Sequence, residues 1–355
     1  MQKLFSKISV QKALLFISLF LVGIILFELK YFVSGIMGAV TLYILTRRFY
    51  LNLTEKKKWN SNLTITLILF MIVISFAVPL WILIEILIPK INELINDHDA
   101  IIENYNTVRK FLENNEFLKR FDLQFSDQRI LQIVNKVISY IPSTLNWVGQ
   151  TFGNIFVALF ILYFMLRQSR EMEERLKELL PLSRGSKKYL IRHTAALIRS
   201  NAYGVPILGF SQGVIAMVGY YIFGVENAIF WGLLTGAASI VPLLGTMLIY
   251  IPVCIYQIAT GDVQGGLLLA LYCLVLVGGI DNVLRFTLLK KMADIHPLIT
   301  VFGVVLGLQL FGAMGLVFGP VLLSLPGILY RVFEMERSLK DLQEHGGQDA
   351  ENHIS

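Results

Sequence analysis

Five polar side chains sit within apolar stretches of this sequence: Gln212, Asp281, Asn282, Arg285 and His296. Ionisable groups at membrane depth are costly, so each is expected either on a solute or ion pathway or in a specific pair. Asp281 is the leading candidate for responding to a cation or a proton. Arg285 follows it by four residues, on the same helical face, so an Asp281–Arg285 ion pair is an equal alternative. Histidine is the side-chain type able to change charge near neutral pH, which makes His296 a candidate, although its place just before Pro297 suits a loop cap as well. Gln212 and Asn282 bring neutral amides to the same set. Glu28, Glu85, Glu226 and Asp262 lie nearer the ends of the apolar runs.

Groups of this kind need elements that expose them inside a bilayer, and two interruptions of the apolar pattern could do so. Residues 227–259 divide around Ser239-Ile240-Val241-Pro242-Leu243-Leu244-Gly245-Thr246. Residues 297–330 divide likewise around Leu310-Phe311-Gly312-Ala313-Met314-Gly315. Lipid cannot satisfy free backbone N–H and C=O groups, so non-helical backbone at membrane depth must face protein or a wet cavity. Short, Gly/Pro-interrupted segments in corresponding places point to a transport site, with Pro242, Gly245, Thr246, Phe311, Gly312 and Gly315 as the hairpin tips. The competing reading is a pair of tight turns between complete helices, with Gly303, Gly307 and Gly312 as close-packing positions. The two tips are expected to approach one another and line one pathway. Bulk at Gly245 or Gly312 should harm flux, whereas Gly219, in an ordinary span, should tolerate it better.

The composition agrees with a membrane setting. Of 355 residues, 55% are hydrophobic, and the mean hydropathy is +0.64, above what a soluble domain carries. Several runs approach the roughly 20 residues needed to cross a bilayer, which leads to an all-α polytopic protein of about six to eight spans. The net charge of +6 comes from Lys and Arg gathered in short clusters beside apolar runs. That is an orientation signal and not a nucleic-acid surface. Cys254 and Cys273 both lie inside apolar runs and imply neither a disulfide framework nor a metal site.

Along the chain, residues 1–89 are expected to hold three spans. The first two, Leu14 to Phe27 and Tyr31 to Leu45, form a hairpin; the third, Leu63 to Ile88, stops at Pro89. Arg47, Arg48, Lys56, Lys57 and Lys58 mark the cytoplasmic side. Residues 90–146 form a helical extracytoplasmic insertion; seven basic and eight acidic residues nearly cancel between Lys90 and Ile141. Residues 147–202 hold a fourth span and an amphipathic helix ended by Pro181, which either lies on the membrane surface or links as a solvated helix. Nine basic residues against four acidic ones between Arg167 and Arg199 keep this part inside. Residues 203–332 are the transport core with the two broken hairpins, and 333–355 form a polar cytoplasmic tail. Both termini are therefore expected in the cytoplasm of a bacterial inner-membrane protein.

No His-Glu-x-x-His, phosphate loop or Gly-x-Ser-x-Gly elbow occurs, so neither catalysis nor a bound cofactor or metal is expected. The expected partners are the lipid bilayer and a small-molecule or ion substrate. A noncatalytic membrane scaffold or sensor and a pore-like channel are the rivals to a transporter.

The stretch Asp281-Asn282-Val283-Leu284-Arg285 to His296-Pro297-Leu298, the run Leu310 to Leu316, and Gly319-Pro320 together resemble the autoinducer-2 exporter-like permease family. Ile240-Val241-Pro242-Leu243-Leu244-Gly245 resembles that family's Ile-Pro-x-x-Gly element. Phe286 stands where a proline is expected after the Asp-Asn-x-x-Arg stretch. The resemblance covers most of the chain. It implies export of a small signalling molecule or, alternatively, sodium/proton antiport, and it implies a homo-oligomer.

Overall fold

The computed structural model describes residues 7–96, 106–107, 110, 152–239, 241, 244–280, 283–284 and 297–352. Nearly all of the expected insertion, and the site candidates Asp281, Asn282, Arg285, His296 and Pro242, lie outside the described residues. The described chain is helical and contains no strand. Among the described residues, five stretches are long and apolar enough to cross a membrane, or six if the one bent helix pair counts as a span. The all-α polytopic reading is correct.

Helix α1 (Lys7–Leu29) passes through a 3-10 turn (Lys30–Phe32) into α2 (Val33–Leu51). The packed hairpin expected of these two spans is not present. Leu14 to Phe20 are all exposed, and the buried face of α2, including Gly35, Gly38 and Ala39, is turned to other helices. The chain reverses instead after a π turn (Asn52–Lys56), where Lys58 adopts φ 55° and the Trp59 N–H donates to the Leu53 carbonyl at 3.0 Å. Helix α3 (Ser61–Asn96) then continues through both Pro79 and Pro89, so the expected stop at Pro89 is absent. Membrane helices tolerate such prolines where neighbouring groups and local adjustments satisfy the freed carbonyl.

Helix α4 (Phe152–Arg167) meets α5 (Ser169–Leu179) at an angle of 88°. If α4 crosses the bilayer, α5 lies in the plane of its surface, as an amphipathic helix can. Helix α6 (Arg184–Ile222) begins at Ser183, whose hydroxyl accepts from the Ser186 N–H. At 1.5 Å per residue it is about 58 Å long, roughly twice the hydrocarbon thickness. Its first half, carrying Arg184, Lys187, Lys188 and Arg192, therefore projects beyond the apolar zone.

Both predicted breaks are present. Helix α7 (Ala228–Ala238) stops before the first and α8 (Leu244–Ala259) resumes after it; each is too short for an ordinary span. Helix α9 (Val263–Tyr272) runs into a π turn (Cys273–Val277) and continues to Ile280. Helix α10 (Pro297–Phe311) folds back through a 3-10 turn (Gly312–Met314) onto α11 (Gly315–Asn352). The reversal requires Gly312, at φ 56°, a left-handed conformation open to glycine without a Cβ penalty.

Three apolar clusters hold these helices. Tyr43, Tyr50, Ile65, Ile68, Leu162 and Leu166 join α2, α3 and α4. Leu197, Ile198, Val321 and Ile328 join α6 to α11. Tyr220, Tyr250, Cys254, Leu269, Cys273 and Val277 join α6, α8 and α9. Outside these clusters Phe and Leu side chains are exposed along α1, α3 and α4, an area only lipid or protein can cover.

Candidate functional site

Among the described residues, two places concentrate polar chemistry. The first lies where α2 ends and α4 bends into α5, around an open cleft of about 310 Å³ lined by Tyr50, Thr54, Glu55, Arg167, Arg170 and Glu171, among others. Its charges are largely matched. The Glu173 carboxylate accepts from Tyr43 Oη at 2.7 Å, from Arg47 Nη2 at 2.6 Å and from Arg47 Nε. Arg170 donates to Glu55 through Nη2 at 2.5 Å and Nε at 3.1 Å. These contacts fasten α5 to the α2–α3 turn. They also bring together the basic segments at Arg47 and at Arg167–Arg170, which agrees with placing both on one side of the membrane.

On the same side, Glu336 of α11 accepts the Ser183 N–H at 2.9 Å, so the polar tail is tied to the start of α6. Helix α11 continues without a break across the boundary expected at residue 333.

The second place is buried. Gln212 of α6 is 1% exposed and donates through Nε2 to the Val277 carbonyl at 3.4 Å, a long bond. Its Oε1 is buried and has no partner. Val277 closes the π turn of α9, where the ordinary carbonyl ladder of the helix is interrupted; such turns recur at functional sites. An unpartnered buried acceptor costs about 1–3 kcal/mol relative to one that is bonded. A solute hydroxyl, a water or a cation would each remove that cost.

Around Gln212 the remaining polar groups are satisfied within the helix pair. Tyr220 Oη and Thr235 Oγ1 lie 3.0 Å apart, and Thr235 Oγ1 donates to the Trp231 carbonyl at 2.8 Å. Ser239, beside the first break, donates to the Gly236 carbonyl at 2.6 Å. Gln212 therefore stands apart from its neighbours in holding unused bonding capacity. Of the intramembrane candidates named from sequence, it is the one whose position the structure describes.

The described residues of the two hairpin tips have different partners. Gly245 packs so closely on the Ala238 carbonyl that a Cβ there would collide with it, and Thr246 is buried one residue on. The second tip rests on the start of α2: Ser34 Oγ donates to the Phe311 carbonyl at 2.7 Å, and Met314 lies against Gly38. Gly312 is exposed and Gly315 buried.

Four Gly-x3-Gly steps form a pattern the sequence reading took up only in part. Gly209 and Gly213 of α6 face Gly236 and Gly232 of α7. Gly303 and Gly307 of α10 face Gly319 and Gly315 of α11. The signal was the spacing itself within apolar windows, the usual means by which membrane helices bring backbones together. Gly219 proves a poor reference position, because a Cβ there would land on the Tyr272 ring, which is held by its hydroxyl to the Ile215 carbonyl at 2.9 Å.

Residues 14–334 match the AI-2E family transporter pattern. Among individual relatives, the "Putative transport protein" of Aquifex aeolicus is 24% identical over 296 residues, covering 76% of this chain and 81% of its own. "Putative transport protein YdiK" of Escherichia coli is 27% identical over 344 residues, covering 91% and 90%. A "Putative transport protein" of Methanothermobacter thermautotrophicus is 26% identical over 309 residues, covering 86% and 90%.

Proposed function

This chain belongs to the AI-2E transporter family, and from that premise we propose that it is a permease moving a small polar solute or signalling molecule across the bacterial inner membrane. The buried, unpartnered Oε1 of Gln212 beside the π turn of α9 is the observation that carries this reading. A solute hydroxyl passing Gln212 would complete the bond that no protein group makes to its Oε1.

Asp281, next in sequence after the end of α9, is the proposed ion-responsive group, with Asn282, Arg285 and His296 in its neighbourhood of sequence. The same proposal puts both termini in the cytoplasm and residues 90–146 outside; the basic segments gathered where α2 ends and α5 begins support it. Antiport of sodium against protons is the second reading. The carboxylate at Asp281, in an apolar region, favours it.

Counterflow in proteoliposomes tests the proposal. Wild-type protein should give saturable exchange of one member of a panel of small polar solutes, with its dependence on imposed proton and sodium gradients measured in parallel. Gln212→Leu, close in shape and free of polar atoms, should leave the thermal midpoint level or higher while reducing flux to the level of protein-free vesicles. Undiminished flux in that variant would remove Gln212 from the pathway. Absence of any solute or ion flux from well-folded wild-type protein would favour a scaffold, and flux that neither saturates nor exchanges would favour a channel.

A further inference from the structure

Phe152, Phe156, Phe160 and Phe164 follow one another at intervals of four residues on one face of α4, and all four are exposed. At 1.5 Å per residue the row is about 18 Å long, close to the depth of one leaflet, about 15 Å. One helical turn beyond Phe164 the same face reaches Gln168, on the wall of the cleft of about 310 Å³ where α4 bends into α5. Trp59, in the α2–α3 turn, is half-exposed, and indole rings settle at the headgroup level of a bilayer. The apolar row therefore runs into a polar cleft at the depth of the lipid headgroups.

That cleft holds bonding capacity the protein leaves unused. Glu55 is taken by Arg170, and Glu171 by Arg175 at 2.6 Å. Arg167 donates to the Tyr163 hydroxyl at 3.1 Å and pairs with no carboxylate among the described residues. Ser169, on the cleft wall, is 5% exposed, yet its hydroxyl makes no hydrogen bond with a described residue. It is the first residue of α5, whose N-cap, Gln168, makes no side-chain capping bond. The opening N–H groups of α5 thus bring the positive end of the helix dipole to the same cleft. Lys56, Lys57 and Lys58, all exposed, add positive charge beside Glu55.

We propose that this cleft binds the phosphate of an anionic phospholipid, with an acyl chain lying along the phenylalanine row of α4. The phosphate oxygens accept from Arg167 and Ser169 and face the start of α5, while the lysines select an anionic headgroup over a zwitterionic one. A free phosphate would satisfy the donors and leave the row uncovered. A second copy of the chain would cover the row and leave the donors. A lipid answers both at once. The site rests on the membrane setting and not on the permease reading.

Native mass spectrometry of the purified full chain in detergent, titrated with phosphatidylglycerol or phosphatidylcholine of equal chain length, tests the site. Wild type should prefer phosphatidylglycerol. Arg167→Gln should weaken its binding about tenfold and Ser169→Ala about threefold, both at an unchanged thermal midpoint. Arg175→Gln removes the same charge outside the cleft and should bind as wild type does. Gln168→Glu is a second route to the loss, since it sets a carboxylate in the cleft. Equal affinity for the two lipids, or equal losses at Arg167 and Arg175, would reduce the effect to general surface charge and overturn the site. Displacement of the lipid by inorganic phosphate at matched concentration would assign the cleft to a soluble anion. Lipid-free oligomers that Phe160→Ala abolishes would assign the row to a second copy. Either result overturns the lipid.

Discussion

The α6/α7 and α10/α11 pairs use the same Gly-x3-Gly spacing on both partners, yet they are packed to different tolerances. In α10/α11 a Cβ at any of Gly303, Gly307, Gly315 or Gly319 would strike backbone of the opposing helix at 2.7 Å or less. In α6/α7 the α6 side is less severe: Cβ atoms at Gly209 and Gly213 would stand 3.1 Å from the carbonyl oxygens of Gly236 and Gly232, a tight contact, while on the α7 side Gly236 would meet the Gly209 carbonyl at 2.7 Å and Gly232 the Met217 Cβ more closely still. What lies behind the glycines differs too. The tight pair is apolar along its contact and closes on Gly312, while the looser pair carries Gln212, Tyr220 and Thr235. A pair that cannot shift makes a rigid wall. A pair less crowded on its α6 side, carrying the buried polar groups, is the better suited of the two to move.

The largest expected effect is at Gly315→Val, whose side chain would fall on the Gly307 carbonyl and the Leu308 nitrogen. Overpacking costs about 1–3 kcal/mol in ordinary cores and more where only backbone can yield. Folded, monodisperse protein should be lost; recovery of normal yield and thermal midpoint would show that the wall is softer than its packing implies. Gly312→Ala comes next. Nothing crowds that position, since the nearest atom to a Cβ is Ser34 Oγ at 4.0 Å, so the cost is the left-handed backbone alone, about 1–2 kcal/mol. A modest drop in midpoint without loss of insertion is expected.

Gly209→Ala should cost about 1 kcal/mol, at the low end of overpacking, while slowing counterflow, because the added methyl presses on the Gly236 carbonyl across the α6/α7 contact. Equal flux in this variant and the wild type would break the distinction between the two pairs. The smallest effect belongs to Asp262, which caps α9 by accepting the Gly265 N–H at 2.8 Å and the Gln257 amide at 3.1 Å. These bonds, that of Gln257 foremost, hold its carboxyl below the ordinary aspartate range. A lowered folded-state value means that its contribution is present above the unfolded pKa and fades as pH falls through the folded one. Asp262→Asn should therefore lower the midpoint slightly at neutral pH and converge with wild type in acid; a gap that persists in acid would assign the effect to something other than charge.

Much of this molecule was legible in its sequence because lipid imposes simple demands. Apolar runs, basic clusters and the all-helical class follow from the need to satisfy every backbone group without water, and they are properties of single segments. The two breaks were legible for the same reason: Gly312 marks a conformation for which glycine is suited, and the chain reverses there. The AI-2E family resemblance also rested on local motifs, Asp281 to Leu298 and Leu310 to Pro320, and the match over residues 14–334 agrees with it.

Pairings between segments were decided elsewhere. The α1/α2 hairpin was expected from adjacency, but the buried face of α2 meets Asn154 and Val157 of α4 and the second tip instead. Pro89 was expected to end a helix, a rule drawn from water that α3 does not obey. Gly219 looked like an ordinary span position until Tyr272 was found against it, and the two cysteines looked unrelated until α8 and α9 folded together. Gln212 could be named from its type alone, but only the tertiary structure shows that one of its two polar atoms has no partner. Local constraints act through each segment's own backbone and are written in its residues; contacts depend on which faces meet, and every face of a membrane helix is apolar enough to meet several others.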